Sequence, residues 1–204
     1  MRNKTIFAGI LVVFFLIASF YFDKNLVEGI SFLRNGIVDN VFLFITFASS
    51  EIIICFVLTS LFLWRENKRR WIFPLWLTLG ITAIINFTLK IIVQRERPFQ
   101  LGIVSLISNL QEASYSIWNF SFPSFQSALV FCAIPILSEQ FPRLKKFWLA
   151  FAVLVAFSRV YFGVHFVSDV IAGGILGYLI GMIIMKLEKK YNFGKKVYEK
   201  IFRK

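Results

Sequence analysis

The 204-residue chain has one histidine, His165, and two cysteines, Cys55 and Cys132. Each cysteine lies inside an apolar run. The pair excludes a disulfide scaffold and reads as small buried hydrophobes. With a lone histidine, no metal-ligand cluster is legible, and the sequence implies no cofactor. Only 17% of residues are charged and 58% are hydrophobic; the hydrophobic share excludes a disordered chain, and the composition excludes collagen. There is no internal repeat, no low-complexity segment and no soluble second domain. Acidic residues are also scarce, 11 against 23 basic ones, for a formal net charge of +12. In a soluble protein that excess would suggest nucleic acid.

What the chain does have is apolar surface. It is 58% hydrophobic with 26 phenylalanines, and mean hydropathy is +0.72. A typical soluble domain is roughly 45–50% apolar. One core in a chain this size cannot hide that much, so the solvent is lipid. About 20 apolar residues cross a bilayer as helix. Such runs occupy residues 5–22, 41–64, 71–93 and 124–141. A final stretch, 147–187, is interrupted by Arg159, His165 and Asp169 and divides near 166–168. The expected fold is therefore an all-α, polytopic membrane protein with six transmembrane helices. The opening run reads as a retained helix, because no clear cleavage site follows it. Residues 23–40 read as a short interfacial helix. In the longest loop, 94–123, Tyr115, Trp118, Phe120 and Phe122 suit a headgroup-level aromatic belt.

With six spans, 17 of the 23 basic residues fall on one side. They include Arg65, Lys68, Arg69 and Arg70, the group Arg143, Lys145 and Lys146, and the tail from Lys186. Both termini are then expected in the cytoplasm of an integral membrane protein, the cell membrane being the favoured setting. The same split accounts for most of the net charge without nucleic acid. The tail's cations also suit anionic lipid.

The outer side keeps Lys24, Arg34, Lys90, Arg95, Arg97 and Arg159. Lys90 and Arg97 are seven apart and share a face if the third helix continues to Pro98. Arg159 precedes His165 by six, and Asp169 follows it by four, a spacing that joins side chains on a helix. Ionisable groups at membrane depth are functional candidates. Lys90, Arg97 and Arg159 together suit a phosphate. A helix beginning at Ser124, after Pro123, adds free N–H groups. With Asp169 holding one ring nitrogen, the other nitrogen of His165 could attack phosphorus or move a proton. Arg95 and Glu96 read as a solvated loop pair. Glu51, beside Ser49 and Ser50, reads as a helix–helix contact, with a site role as its alternative.

Three segments carry a resemblance. They are Lys90-x6-Arg97-Pro98, then Pro123-Ser124-Phe125-Gln126, then Ser158-Arg159-x5-His165-x3-Asp169. In order and spacing they resemble the signature of the type 2 phosphatidic acid phosphatase superfamily, the lipid phosphate phosphatases, over about residues 41–187. The resemblance implies one transmembrane domain, 1–204, with a basic cytoplasmic tail at 188–204 and a metal-independent site on the outer face. It implies that Lys90, Arg97, Ser124 and Arg159 bind a phosphoryl group. His165 would be the nucleophile, forming a phosphohistidine, and Asp169 would orient it. The partners would be the bilayer and a lipid phosphate or diphosphate.

The second segment departs from the family's Pro-Ser-Gly-His. Gln126 stands where the family has the histidine that protonates the leaving group, and Phe125 replaces glycine. Gln126 can take part by hydrogen bonding but cannot give up a proton. General acid catalysis contributes about 10²–10⁴-fold. An alkoxide leaving group, whose conjugate acid is about as weak as water, suffers most from its loss. A phosphate leaving group, with a pKa of about 6, suffers far less. The expected substrate is thus an isoprenoid diphosphate. Two alternatives stand beside it: a catalytically impaired homologue that binds or transports phospholipid headgroups, and a lipid phosphotransferase.

Overall fold

Lipid offers a bare backbone no hydrogen bonds, so apolar runs of this length must satisfy their own, as helices do. The computed structural model describes residues 2–105 and 120–202, apart from the side chains of residues 2–10, 12, 13 and 202. Among these residues every regular element is helical. In chain order they are α1 (Arg2–Ser31), α2 (Gly36–Ala48), α3 (Glu51–Trp64), α4 (Ile72–Val93), α5 (Phe125–Cys132), α6 (Ile134–Gln140), α7 (Lys145–Tyr161), α8 (Val167–Tyr191) and α9 (Phe193–Phe202). A 3₁₀ stretch, Glu66–Trp71, leads into α4.

Among the described residues, Glu66–Val93 and Val167–Tyr191 are each long and apolar enough to cross a membrane. The bent pair α2 and α3 adds a third span if it counts as one. Large apolar side chains such as Phe44, Ile52, Phe56 and Ile84 face outward, the reverse of a water-soluble surface. Tyr115, Trp118 and the side chains of Arg2 and Lys4 lie outside the described residues.

Several expected boundaries move, each for a local reason. Residues 23–31 extend α1 rather than forming a separate interfacial helix. The chain turns only before Asn35, whose side chain caps α2 by accepting from the Val38 N–H at 3.1 Å. The run 41–64 bends by 62° between α2 and α3. There Ser49 Oγ donates to the Thr46 carbonyl and Ser50 adopts an extended conformation, the competition with helix that serine offers. The run 124–141 breaks at Ala133, two residues before Pro135, which lacks an N–H and crowds the preceding turn. The third apolar helix does not continue to Arg97. Gln94 takes the left-handed conformation (φ 49°, ψ 34°) and ends α4 at Val93. Lys90 and Arg97 therefore meet through a turn, not along one face. Asn192, also left-handed at φ 50°, ends α8. The basic tail then continues as α9, which lies against the first turn of α4 through Phe193 and Phe73.

The packing that matters most for the site joins α5 to α8. Gly173, Gly177 and Gly181 recur every four residues along α8. A Cβ at these positions would strike the carbonyl oxygens of Ser124, Ala128 and Cys132 respectively. Small residues at this spacing let two backbones touch, which is how helices associate where lipid gives no hydrophobic drive. Around this contact Leu58, Phe62, Leu75, Val130, Ile136 and Val155 form the main core. A smaller cluster of Val27, Val104, Val160, Phe166 and Val170 closes the end where α8 begins.

Gly177→Val drives a branched side chain into the Ala128 carbonyl. It should lower stability by about 1–3 kcal/mol or more, read as a reduced thermal midpoint in detergent. Gly80, also helical but with open space around it, is the control. Gly80→Ala should hold or raise the midpoint.

Candidate active site

The ends of α4, α7 and α8, the first turn of α5 and the α2–α3 bend surround a cavity of about 500 Å³. It is lined by Glu51, Phe87, Lys90, Arg97, Phe125, Gln126, Arg159 and His165. Four residues singled out for chemistry in the sequence, Lys90, Arg97, Arg159 and His165, thus line one cavity, and Gln126 joins them. Glu51 reaches the cavity because it opens α3 directly after the bend.

Each cation is held by a main-chain or side-chain acceptor. Lys90 Nζ donates to the Phe120 carbonyl. Arg97 Nη1 donates to the Val164 carbonyl at 2.9 Å, and its backbone N–H to Gln100 Oε1 at 2.7 Å. Arg159 Nη1 donates to Thr46 Oγ1 on α2 at 3.2 Å. Arg159 Nε is buried with no partner among the described residues. A buried donor left unmet is costly, and an anion in the cavity would meet it. Arg159 also sets the histidine: its carbonyl accepts the His165 N–H at 3.3 Å as the chain turns through Gly163 (φ 68°). A side chain at Gly163 would collide with Val104.

His165 precedes α8, so its approach to Asp169 is not a helical i, i+4 pair. Asp169 sits in the first turn, where Oδ2 accepts the Phe166 N–H at 2.8 Å. The gap from His165 Nδ1 to Asp169 Oδ2 is 3.7 Å, beyond hydrogen-bond length. Ser121 fills it: its hydroxyl donates a short hydrogen bond to Asp169 Oδ2 and lies 3.4 Å from His165 Nδ1. A chain from Nδ1–H through Ser121 to the Asp169 carboxylate leaves Nε2 as the ring nitrogen with a free lone pair.

Arg95 corrects the expectation of a solvated loop pair. Its guanidinium forks between Asp169 Oδ1 and Asp23 Oδ2, both at 2.8 Å, and also donates to Ser168 Oγ at 2.7 Å. It stacks on Phe166 with its carbon 4.0 Å from the ring centroid. Asp23, on α1, further accepts the Ser168 N–H at 2.9 Å and the Ser168 hydroxyl. Sequence reasoning missed Asp23, Ser121 and Ser168. The available signal was Asp23 itself, an acid next to a long apolar run that demands a partner.

Ser124 lies apart from the cavity-lining group. It is fully buried, its N–H donates to the Asp169 carbonyl at 3.0 Å, and its hydroxyl accepts from Ser127 at 3.1 Å. It joins α5 to α8 behind the cavity wall.

Burial, and then the charges of Arg97, Lys90 and Arg159, hold the His165 imidazole well below its usual value near 6.5. It is therefore neutral at physiological pH, and its 3.7 Å approach to Asp169 is not an ion pair. Burial lowers Arg97 to about 10, which leaves it charged there. His165 is the chain's one histidine, so an untagged, ¹³C-histidine-labelled sample gives a single imidazole resonance. Its titration midpoint without ligand should lie well below 6.5. A midpoint at or above 6.5 would remove the cationic, desolvated setting from the argument.

The PAP2 superfamily model matches residues 71–193, which contain the three cations, Gln126, His165 and Asp169 but neither Glu51 nor Asp23. Phosphatidylglycerophosphatase B of Bacillus subtilis is 34% identical over 125 residues. The match covers 56% of each chain, so this chain spans about half the length of that relative. Undecaprenyl-diphosphatase of Sulfolobus acidocaldarius is 26% identical over 196 residues, covering 88% of this chain and 90% of that one. The crystal structure of a transmembrane PAP2-type phosphatidylglycerolphosphate phosphatase from Bacillus subtilis superposes with a TM-score of 0.69 over 89% of this chain and 96% of that one. At 21% identity this is a likeness of fold. The family match, covering more than half of the sequence, establishes that the chain belongs to the PAP2 superfamily.

Proposed function

We propose that this chain is an integral-membrane lipid phosphatase that hydrolyses a phosphorylated lipid, an isoprenoid diphosphate by preference, through a phosphohistidine on His165. The observation that carries the reading is an imidazole on the wall of a cavity lined by Lys90, Arg97 and Arg159. The cations draw in a phosphoryl group and stabilise charge on its oxygens. Nε2 of His165 attacks phosphorus while Nδ1–H, held toward Ser121 and Asp169, fixes the ring and spreads the positive charge that forms. Water then cleaves the phosphohistidine. Asp169 acts through Ser121 as a positioning residue.

Gln126 supports the preference for a diphosphate. It lines the cavity where the family has its proton donor, and an amide can steady a leaving oxygen but not protonate it. A leaving phosphate tolerates that, and an alkoxide does not. The long match to the Sulfolobus acidocaldarius undecaprenyl-diphosphatase points the same way. The charge pattern supports an outward-facing site. Lys186, Lys189 and Lys190 gather at one end of α8 and His165 precedes the other, roughly 37 Å apart by helical rise. By the same rule both termini lie in the cytoplasm.

The test is phosphate release by the purified chain in detergent from farnesyl diphosphate and from phosphatidic acid, with His165→Ala beside each. Release from the diphosphate should exceed that from phosphatidic acid by about 10²-fold or more and vanish in the variant. Equal turnover of the two lipids would sink the leaving-group argument. No His165-dependent release from either, with lipid-phosphate binding retained, would make this a headgroup-binding protein.

A further inference from the structure

Glu51 is the feature of the cavity that phosphate binding leaves unexplained. A carboxylate on the wall of an anion site repels the ligand and is costly at membrane depth. Yet Glu51 opens α3 after a 62° bend that turns it into the cavity. It also lies within electrostatic reach of Arg159, whose Nη1 is tied to Thr46 on α2, the helix before the bend. A phosphoryl group held by Arg159 therefore shares its cavity with Glu51.

The other lining groups narrow what Glu51 can do. Lys90, Arg97 and Arg159 are cations that bind the phosphoryl oxygens. Phe87 and Phe125 carry no exchangeable proton, and Gln126 accepts none. His165 is consumed when it takes the phosphoryl group. Among the described residues Glu51 is then the one lining carboxylate able to take a proton from water. Resting on the proposed phosphohistidine route, we infer that Glu51 is the general base of its second half, activating the water that hydrolyses the phosphohistidine.

The step balances without further reagents. In the first half, the Nε2 lone pair forms the N–P bond, the P–O bond to the leaving lipid phosphate breaks, and that oxygen keeps the electron pair. In the second half, water gives one proton to the Glu51 carboxylate and its hydroxide to phosphorus. The N–P bond breaks back to Nε2, which regains its lone pair while Nδ1 keeps its proton. Inorganic phosphate leaves, and Glu51 returns its proton to solvent. The leaving group draws on no acid, as Gln126 requires, and the base is a different residue.

The division of labour is readable in time. Farnesyl diphosphate labelled with ³²P in its terminal phosphate is mixed with the full chain in detergent. The early release of farnesyl phosphate, the acid-labile phosphoenzyme and steady-state phosphate release are then followed. Glu51→Gln should keep a burst of about one farnesyl phosphate per site and accumulate phosphohistidine. Its steady-state release should be slower by about 10²-fold or more. Glu51→Asp should recover part of the rate. The retained burst also shows that the variant is folded, a readout that a merely structural role would not produce. His165→Ala should give neither burst nor phosphoenzyme. Wild-type steady-state rates in Glu51→Gln overturn the assignment. So does loss of its burst together with its turnover, and in both cases the phosphoenzyme of the wild type leaves the His165 reading intact. A phosphoenzyme that survives His165→Ala overturns both.

Discussion

The cavity depends on how one guanidinium is shared. Arg95 joins Asp23 of α1 to Asp169 of α8, and neither acid would be tolerable there alone. A buried carboxylate without a counter-charge costs several kcal/mol, whereas a forked, doubly paired guanidinium offsets much of that cost. The pairing fixes three parts of the chain at once. α1 is pinned against the start of α8, the turn after α4 is drawn in behind Gln94, and Ser121, whose N–H donates to the Arg95 carbonyl at 2.7 Å, is set between Asp169 and His165. The histidine's environment is thus built from outside the residues that line the cavity.

Behind that pairing lies a backbone contact. The three glycines of α8 let α5 approach until main chain meets main chain. The Ser124 N–H reaches the Asp169 carbonyl, and Gln126 comes to the cavity from the first turn of α5. Dispersion between close backbones replaces the hydrophobic drive that lipid withholds. Side-chain charge at the rim and bare backbone below it therefore solve one problem, the docking of a short helix beside the nucleophile.

Much of this was legible in the sequence. Apolar runs revealed the helices because lipid forces backbone groups to pair locally, and Lys90, Arg97, Arg159 and His165 stood out because charge is rare at that depth. What stayed hidden depends on contacts across the fold. Arg95 looked like a loop residue because its partners are 72 and 74 positions away. Ser121 carried no charge to draw notice. Helix breaks were read too simply. Ser50 and Pro135 divide runs that composition alone treats as continuous, and the hydropathy of a run is indifferent to a 62° bend. Asp169 was tied to His165 by a helical spacing, yet His165 stands outside the helix and a hydroxyl intervenes.

The unmet Nε of Arg159 bears on the resting protein as well as on catalysis. Three cations line one hollow, and among the described residues the buried Nε of Arg159 has no acceptor. A small oxyanion there would meet both the charge and the donor. In the proposed reaction the last species in the cavity is inorganic phosphate, which fits the same donors as the substrate's terminal group. Turnover would then be governed by how readily the cavity surrenders its product, and free phosphate in the medium would act as a brake on the next encounter.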